Sequence, residues 1–113
     1  MGMTESEFER IATETLAGIE ASVEAAAESA ELDIELQMKP GGVLELEFED
    51  GSKMIVNRQG AAREIWVAAK SGGYHFRYDG NRWVDTRDGG ELFAALSRMV
   101  SAQGGAAVIL APR

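Results

Sequence analysis

Two changes of hydrophobic period constrain this chain more than any other feature. Phe8, Ile11, Ala12, Thr15, Leu16, Ile19, Val23 and Ala26 recur at helical spacing, which lays one apolar face along roughly 24 residues. From Glu31 the period drops to two, the spacing of a strand with one buried face. Leu32, Ile34, Leu36 and Met38 point one way, and the intervening acids the other. The alternation continues through Val43–Glu49, Lys53–Arg58, Glu64–Lys70, Tyr74–Asp79 and Arg82–Asp85, punctuated by Pro40-Gly41-Gly42, Asp50-Gly51, Gly72-Gly73 and Gly80-Asn81. Leu92, Phe93, Leu96, Met99 and Val100 then restore the helical period. Short turns between alternating runs make an antiparallel meander. The pattern predicts an α+β two-layer sandwich: helices near residues 4–29 and 89–103, packed on one face of a five- or six-stranded antiparallel sheet.

Local signals mark where the helices start. Thr4-Glu5-Ser6-Glu7 fits a capping box, and Asp88-Gly89-Gly90-Glu91 fits a second. Gly104-Gly105 stops the second helix. The run Ala106–Ala111 beyond it is too apolar to stay in water, so residues 104–113 are expected to pack as a tail on the helices. Val108, Ile109 and Leu110 would each gain about 1.5–3 kcal/mol by burial before ordering costs. Residues 1–113 read as one domain. Met1-Gly2 ahead of Met3 stands outside the pattern, and residues 1–3 are set aside as a disordered or non-native leader.

A chain of 113 residues buries about 65% of its unfolded surface without covalent staples. It has no cysteine. That removes disulfides, a thiol nucleophile and thiolate ligation of an iron–sulfur cluster of its own. No apolar run reaches the ~18 residues of a membrane span, and no secretory or transit signal opens the chain. It reads as an intracellular, cytoplasmic, bacterial protein. Its net charge of −8 is polarised: residues 1–50 hold 14 acids against Arg10 and Lys39, residues 51–113 only 5 acids against 9 bases. Such a surface repels nucleic acid and anionic membranes and attracts cations or basic protein faces.

Two groups of residues ask for more than packing. Glu20, Glu24 and Glu28 stack at i, i+4 with no Lys or Arg nearby, each like-charge neighbour costing about 0.2–0.5 kcal/mol. Glu28 also lies at the helix C-terminus, where the macrodipole disfavours an anion. An acidic helix face is most often simply solvated; the missing counter-charges set this one apart. In Glu64–Lys70, Ile65 and Val67 face one way, so Trp66 stands on the outer face of the sheet if those two face the core. Asn57-Arg58-Gln59 ends the preceding strand. A Trp beside amides and an Arg has the chemistry of a recognition patch, although composition alone favours a Trp covered by a loop or its neighbours.

Taken together, Ser6-Glu7-Phe8, Gly42-Val43-Leu44, Phe48-Glu49-Asp50-Gly51-Ser52-Lys53, Asn57-Arg58-Gln59, Ile65-Trp66, Gly72-Gly73-Tyr74-His75-Phe76 and Trp83 resemble the frataxin family, specifically its bacterial members. The resemblance covers nearly the whole chain and rests on order and spacing. It implies a role in iron–sulfur cluster assembly: weak binding of Fe²⁺ or Fe³⁺ on an acidic ridge, and docking on cysteine desulfurase and the cluster-scaffold protein. Matched by position, the ridge would be Glu20, Glu24, Glu28, Glu31 and Asp33. The partner-binding patch would be Asn57, Arg58, Gln59, Trp66 and His75. Ala21, Ala25, Ala26 and Ala27 stand where bacterial relatives often carry further acids or polar residues, so this ridge is thinner.

The chemistry of the donors agrees with a weak site. Carboxylates suit hard cations such as Fe³⁺, Mn²⁺, Mg²⁺ or Ca²⁺. The single histidine, His75, lies on a strand away from the ridge and reads as a surface or partner contact before a ligand. Two functions follow: a non-enzymatic, monomeric adaptor of cluster assembly, or a ferroxidase that oxidises and stores iron in metal-dependent oligomers. The second would want a dinuclear cage with Glu-x-x-His on facing helices, and that motif does not occur. A hydrolase lacks a nucleophile with a His partner. The adaptor is favoured.

Overall fold

Thr4 sets the start of the first helix. Its hydroxyl oxygen accepts from the Glu7 amide at 3.1 Å while the Glu7 carboxylate accepts from the Thr4 amide at 2.9 Å, a closed capping box. From there α1 runs over Glu5–Ala30. The structure, a computed structural model, describes residues 3–112; the leader proposed for residues 1–3 therefore lies outside it except for Met3, which packs against the core.

Six strands follow: β1 (Ile34–Lys39), β2 (Val43–Phe48), β3 (Lys53–Gln59), β4 (Glu64–Ala69), β5 (Gly72–Tyr78) and β6 (Trp83–Asp85), then α2 (Leu92–Gly104). They form one antiparallel sheet in sequential order, β1 to β6. Leu44, Leu46, Phe48, Met54, Val56, Ile65, Val67 and Phe76 are all buried. They share one face and join Phe8, Leu16, Ile19 and Val23 of α1 with Leu92, Leu96 and Val100 of α2 in a single core. Both helices therefore cover that face, and the other is left open. Trp83 closes one end, 6.1 Å edge-to-face from Phe8, with its indole N–H donating to Thr15 Oγ1 at 3.0 Å.

Three local expectations are corrected. Asp88 does not cap α2; its carboxylate accepts from the Gly90 amide within the turn. Glu91 is the cap, its carboxylate accepting from the Phe93 and Ala94 amides, so the helix starts at Leu92. Glu31 is not a strand residue: it ends α1 in the left-handed region, φ 54°, donating to Ala27 and Glu28. Met38 is 40% exposed, because it stands at the end of an edge strand with a neighbour on one side only.

The tail is extended and held by serines. Ser101 Oγ takes the Val108 amide at 2.9 Å, Ser97 Oγ the Leu110 amide at 2.8 Å, and Ser22 Oγ on α1 the Ala111 amide at 3.1 Å. The strip thus lies against both helices. An extended strip can bury only alternate side chains: Val108 and Leu110 are buried, whereas Ile109 is 88% exposed, against the expectation that all three would be covered.

Candidate functional site

The ridge is a row of separate acids. Glu24, Glu28, Glu31 and Asp33 are exposed and Glu20 is half-buried. None of the five has a cationic partner among the described residues, whereas Glu9, Glu14, Glu45, Asp50, Glu64 and Asp79 each do. No three acidic or imidazole side chains among the described residues converge to hold an ion. The donors suit a hard cation in kind, but they are spread out. Two of the alanines that thin the ridge have structural work: Ala27 is buried in the core, and Ala26 is partly buried against it. The register extends the acidic surface beyond the sequence reading. Glu35 and Glu47 face each other across β1 and β2, like charges in direct opposition. The alternation of both strands was the signal for them.

The open sheet face carries the second surface. Asn57, Trp66 and His75 stand in one cross-strand row over β3, β4 and β5. Trp66 and His75 are stacked, ring centroids 4.3 Å apart and planes within 8°. Gln59, Glu64 and Arg77 form the next row. Trp66 is therefore an outward residue, half-buried, with His75 stacked on its ring. Sequence reasoning missed Glu64, which is 5% exposed although it stands on the solvent face. Its carboxylate accepts from the Trp66 indole at 2.8 Å and from Arg77 at 2.6 Å.

Arg58 leaves this patch. The expectation grouped it with Asn57 and Gln59 by adjacency, but neighbours in a strand point to opposite faces. Its guanidinium reaches α1, 3.2 Å from Glu9 Oε2 and 3.2 Å from Thr13 Oγ1. Gly42 makes room for it: a Cβ there would lie 2.6 Å from Arg58 Cγ, and the backbone is left-handed at φ 76°.

Several carboxyls outside the ridge are held below their usual range. Glu7 is held by the Thr4 amide, Glu45 by Lys39, Asp50 by the Ser52 hydroxyl and Asp79 by the Arg82 amide. Burial pushes Glu64 up, but the indole, Arg77 and His75 together outweigh it. A carboxyl lowered on folding stabilises the native state above its unfolded pKa, and that stability is lost as pH falls through the folded value. We expect urea midpoints to hold from about pH 7 to about pH 5 and to fall progressively below about pH 4. Denaturation curves at three pH values check this; stability that rose on acidification would contradict it.

Comparison with known proteins places the chain in a family. A family model described as a frataxin-like domain matches residues 1–106. The iron-sulfur cluster assembly protein CyaY of Cupriavidus necator is 58% identical over 108 residues, covering 96% of each chain. That of a Janthinobacterium species is 59% identical over 109 residues, again 96% of each. Among solved structures, frataxin from Psychromonas ingrahamii aligns with a TM-score of 0.75 at 30% identity, covering 95% of this chain and 97% of its own. Trimeric yeast frataxin complexed with ferrous iron shares the fold, with a TM-score of 0.72 at 24% identity over 93% of this chain and 89% of its own. The two helices on a six-stranded antiparallel sheet, and identity that runs almost end to end, make this chain a member of the frataxin-like family.

Proposed function

We propose that this protein is a non-enzymatic adaptor of iron–sulfur cluster assembly that binds iron weakly and docks on cysteine desulfurase and its scaffold partner. The observation that carries the reading is the row Glu20, Glu24, Glu28, Glu31 and Asp33, left without cations among the described residues. Unpaired like charges cost helix stability, and a basic partner or a metal ion would recover that cost. Iron is cargo here, and the carboxylates that would meet it stand apart on an open surface. Donors so separated favour transient binding over the caged centre an iron-storing ferroxidase would need. Curated relatives named for iron–sulfur cluster assembly support the setting. The reading puts the protein in the bacterial cytoplasm; no described helix is long and apolar enough to cross a membrane.

The ridge should act electrostatically. Reversing Glu20, Glu24 and Glu28 to Lys should leave the fold intact, weaken iron binding, and cut desulfurase affinity chiefly at low salt, since screening shortens the reach of exposed charge. NMR line broadening by Fe²⁺ or Mn²⁺ should centre on the five ridge residues. Broadening at His75 with the ridge silent overturns the metal assignment, and a desulfurase affinity indifferent to salt and to the reversals overturns the docking.

A further inference from the structure

A carboxylate on the open face of a sheet ordinarily points into water, and Glu64 does not. It is 5% exposed, and burying a charge is costly unless every oxygen is met. Both are met. Oε1 accepts from the Trp66 indole at 2.8 Å and Oε2 from the Arg77 guanidinium at 2.6 Å. His75 Nδ1 lies 3.7 Å from Oε1. Glu64 and Trp66 alternate onto the same face of β4, as His75 and Arg77 do on β5, and the two pairs stand in register. One carboxylate therefore bonds the indole and the cation beside it and lies 3.7 Å from the imidazole of the stack.

We propose that Glu64 is the positioning residue of the Trp66 platform, fixing the indole flat against His75 so that a partner meets a surface already ordered. Trp66 stands on an open strand face where its ring could otherwise turn about its side-chain torsions. A hydrogen bond to the indole N–H, with the carboxylate itself anchored by Arg77, selects the orientation in which the ring lies within 8° of the imidazole. Binding then no longer bears the ordering cost of that side chain. The consequence for affinity rests on Trp66 being a partner contact; the clamp itself does not.

The test uses the ¹⁵N-labelled full chain. In the wild type the Trp66 indole N–H should exchange with solvent more slowly than an exposed indole, and Trp66 and His75 ring protons should cross-relax. Glu64→Leu has similar bulk and no acceptor. It should speed that exchange, weaken the ring contacts and lower desulfurase affinity about two- to tenfold, the cost of ordering one side chain on binding. Glu64→Gln keeps a carbonyl acceptor and should restore all three, with melting temperatures measured alongside. A wild-type indole that exchanges freely, or a Leu variant with unchanged indole signals, overturns the clamp. Indole signals that move while affinity does not, in a protein whose Trp66→Ala variant does lose affinity, overturn the positioning role. Failure of the functional reading looks different: Trp66→Ala would leave affinity unchanged while the Glu64 variants still shift the indole.

Discussion

Leu110→Ala should unfold at a temperature roughly 10 °C lower than wild type, while Ile109→Ala, one residue away, should be nearly silent. Leu110 is 4% exposed and belongs to the core; Ile109 is 88% exposed. Truncating a buried Leu costs about 2–5 kcal/mol, and each kcal/mol is worth several degrees in a domain of this size. A surface truncation stays within about 0.5 kcal/mol. Deleting residues 106–113 should be at least as damaging as Leu110→Ala, since it also removes Val108 and leaves the hydroxyls of Ser22, Ser97 and Ser101 without their backbone donors. Thermal melts of the three variants decide it. Equal melts for Ile109→Ala and Leu110→Ala would mean the strip does not lie on the helices in alternation.

Trp66→Ala should lose about thirtyfold in desulfurase affinity at every ionic strength, the effect of truncating an aromatic anchor worth about 2 kcal/mol. The ridge reversals should matter mainly at low salt, so the two surfaces separate in one titration. Stability discriminates further. A core Trp truncated to Ala costs about 3–5 kcal/mol, but Trp66 lies on the open face, between the buried Ile65 and Val67 that face the core. Its removal takes away the stack on His75 and one donor to Glu64, which amounts to about 1–2 kcal/mol. Isothermal titration at low and high salt, with melts in parallel, gives both numbers. A melting-temperature loss on the core scale would return Trp66 to the interior and remove the sheet patch from the interface.

The fold was legible because each element repeats its own period. Phe8, Ala12, Leu16, Ile19 and Val23 can share a face only on a helix, and Ile65 with Val67 only on a strand; all seven are buried. Caps were less legible. A Ser, Thr or Asp three residues before a Glu reads as a capping box at both helix starts, but at the second the Asp88 carboxylate is taken by a local turn. Only the geometry of the chain entering α2 leaves Glu91 to cap it.

The candidate site divides in the same way. Outward acids on α1 and β1, and a Trp opposite to core-facing neighbours, follow from periodicity alone, which is a local property of the backbone. What the sequence could not determine is which residues far apart along the chain meet. Strand register sets Trp66 on His75 and brings Arg77 to Glu64, and it opposes Glu35 to Glu47. The pleat of β3 turns Arg58 away from Asn57 and Gln59, but only packing takes its guanidinium to Glu9 and Thr13 on α1, in the space Gly42 leaves. The sequence by itself determined the elements, their faces and the excess of acid on the first half of the chain. Tertiary structure alone decided that a solvent-face carboxylate is buried, that the tail shows every second side chain to water, and which charges lack a partner among the described residues. Periodicity is written in neighbours along the chain, whereas burial and pairing depend on neighbours across it.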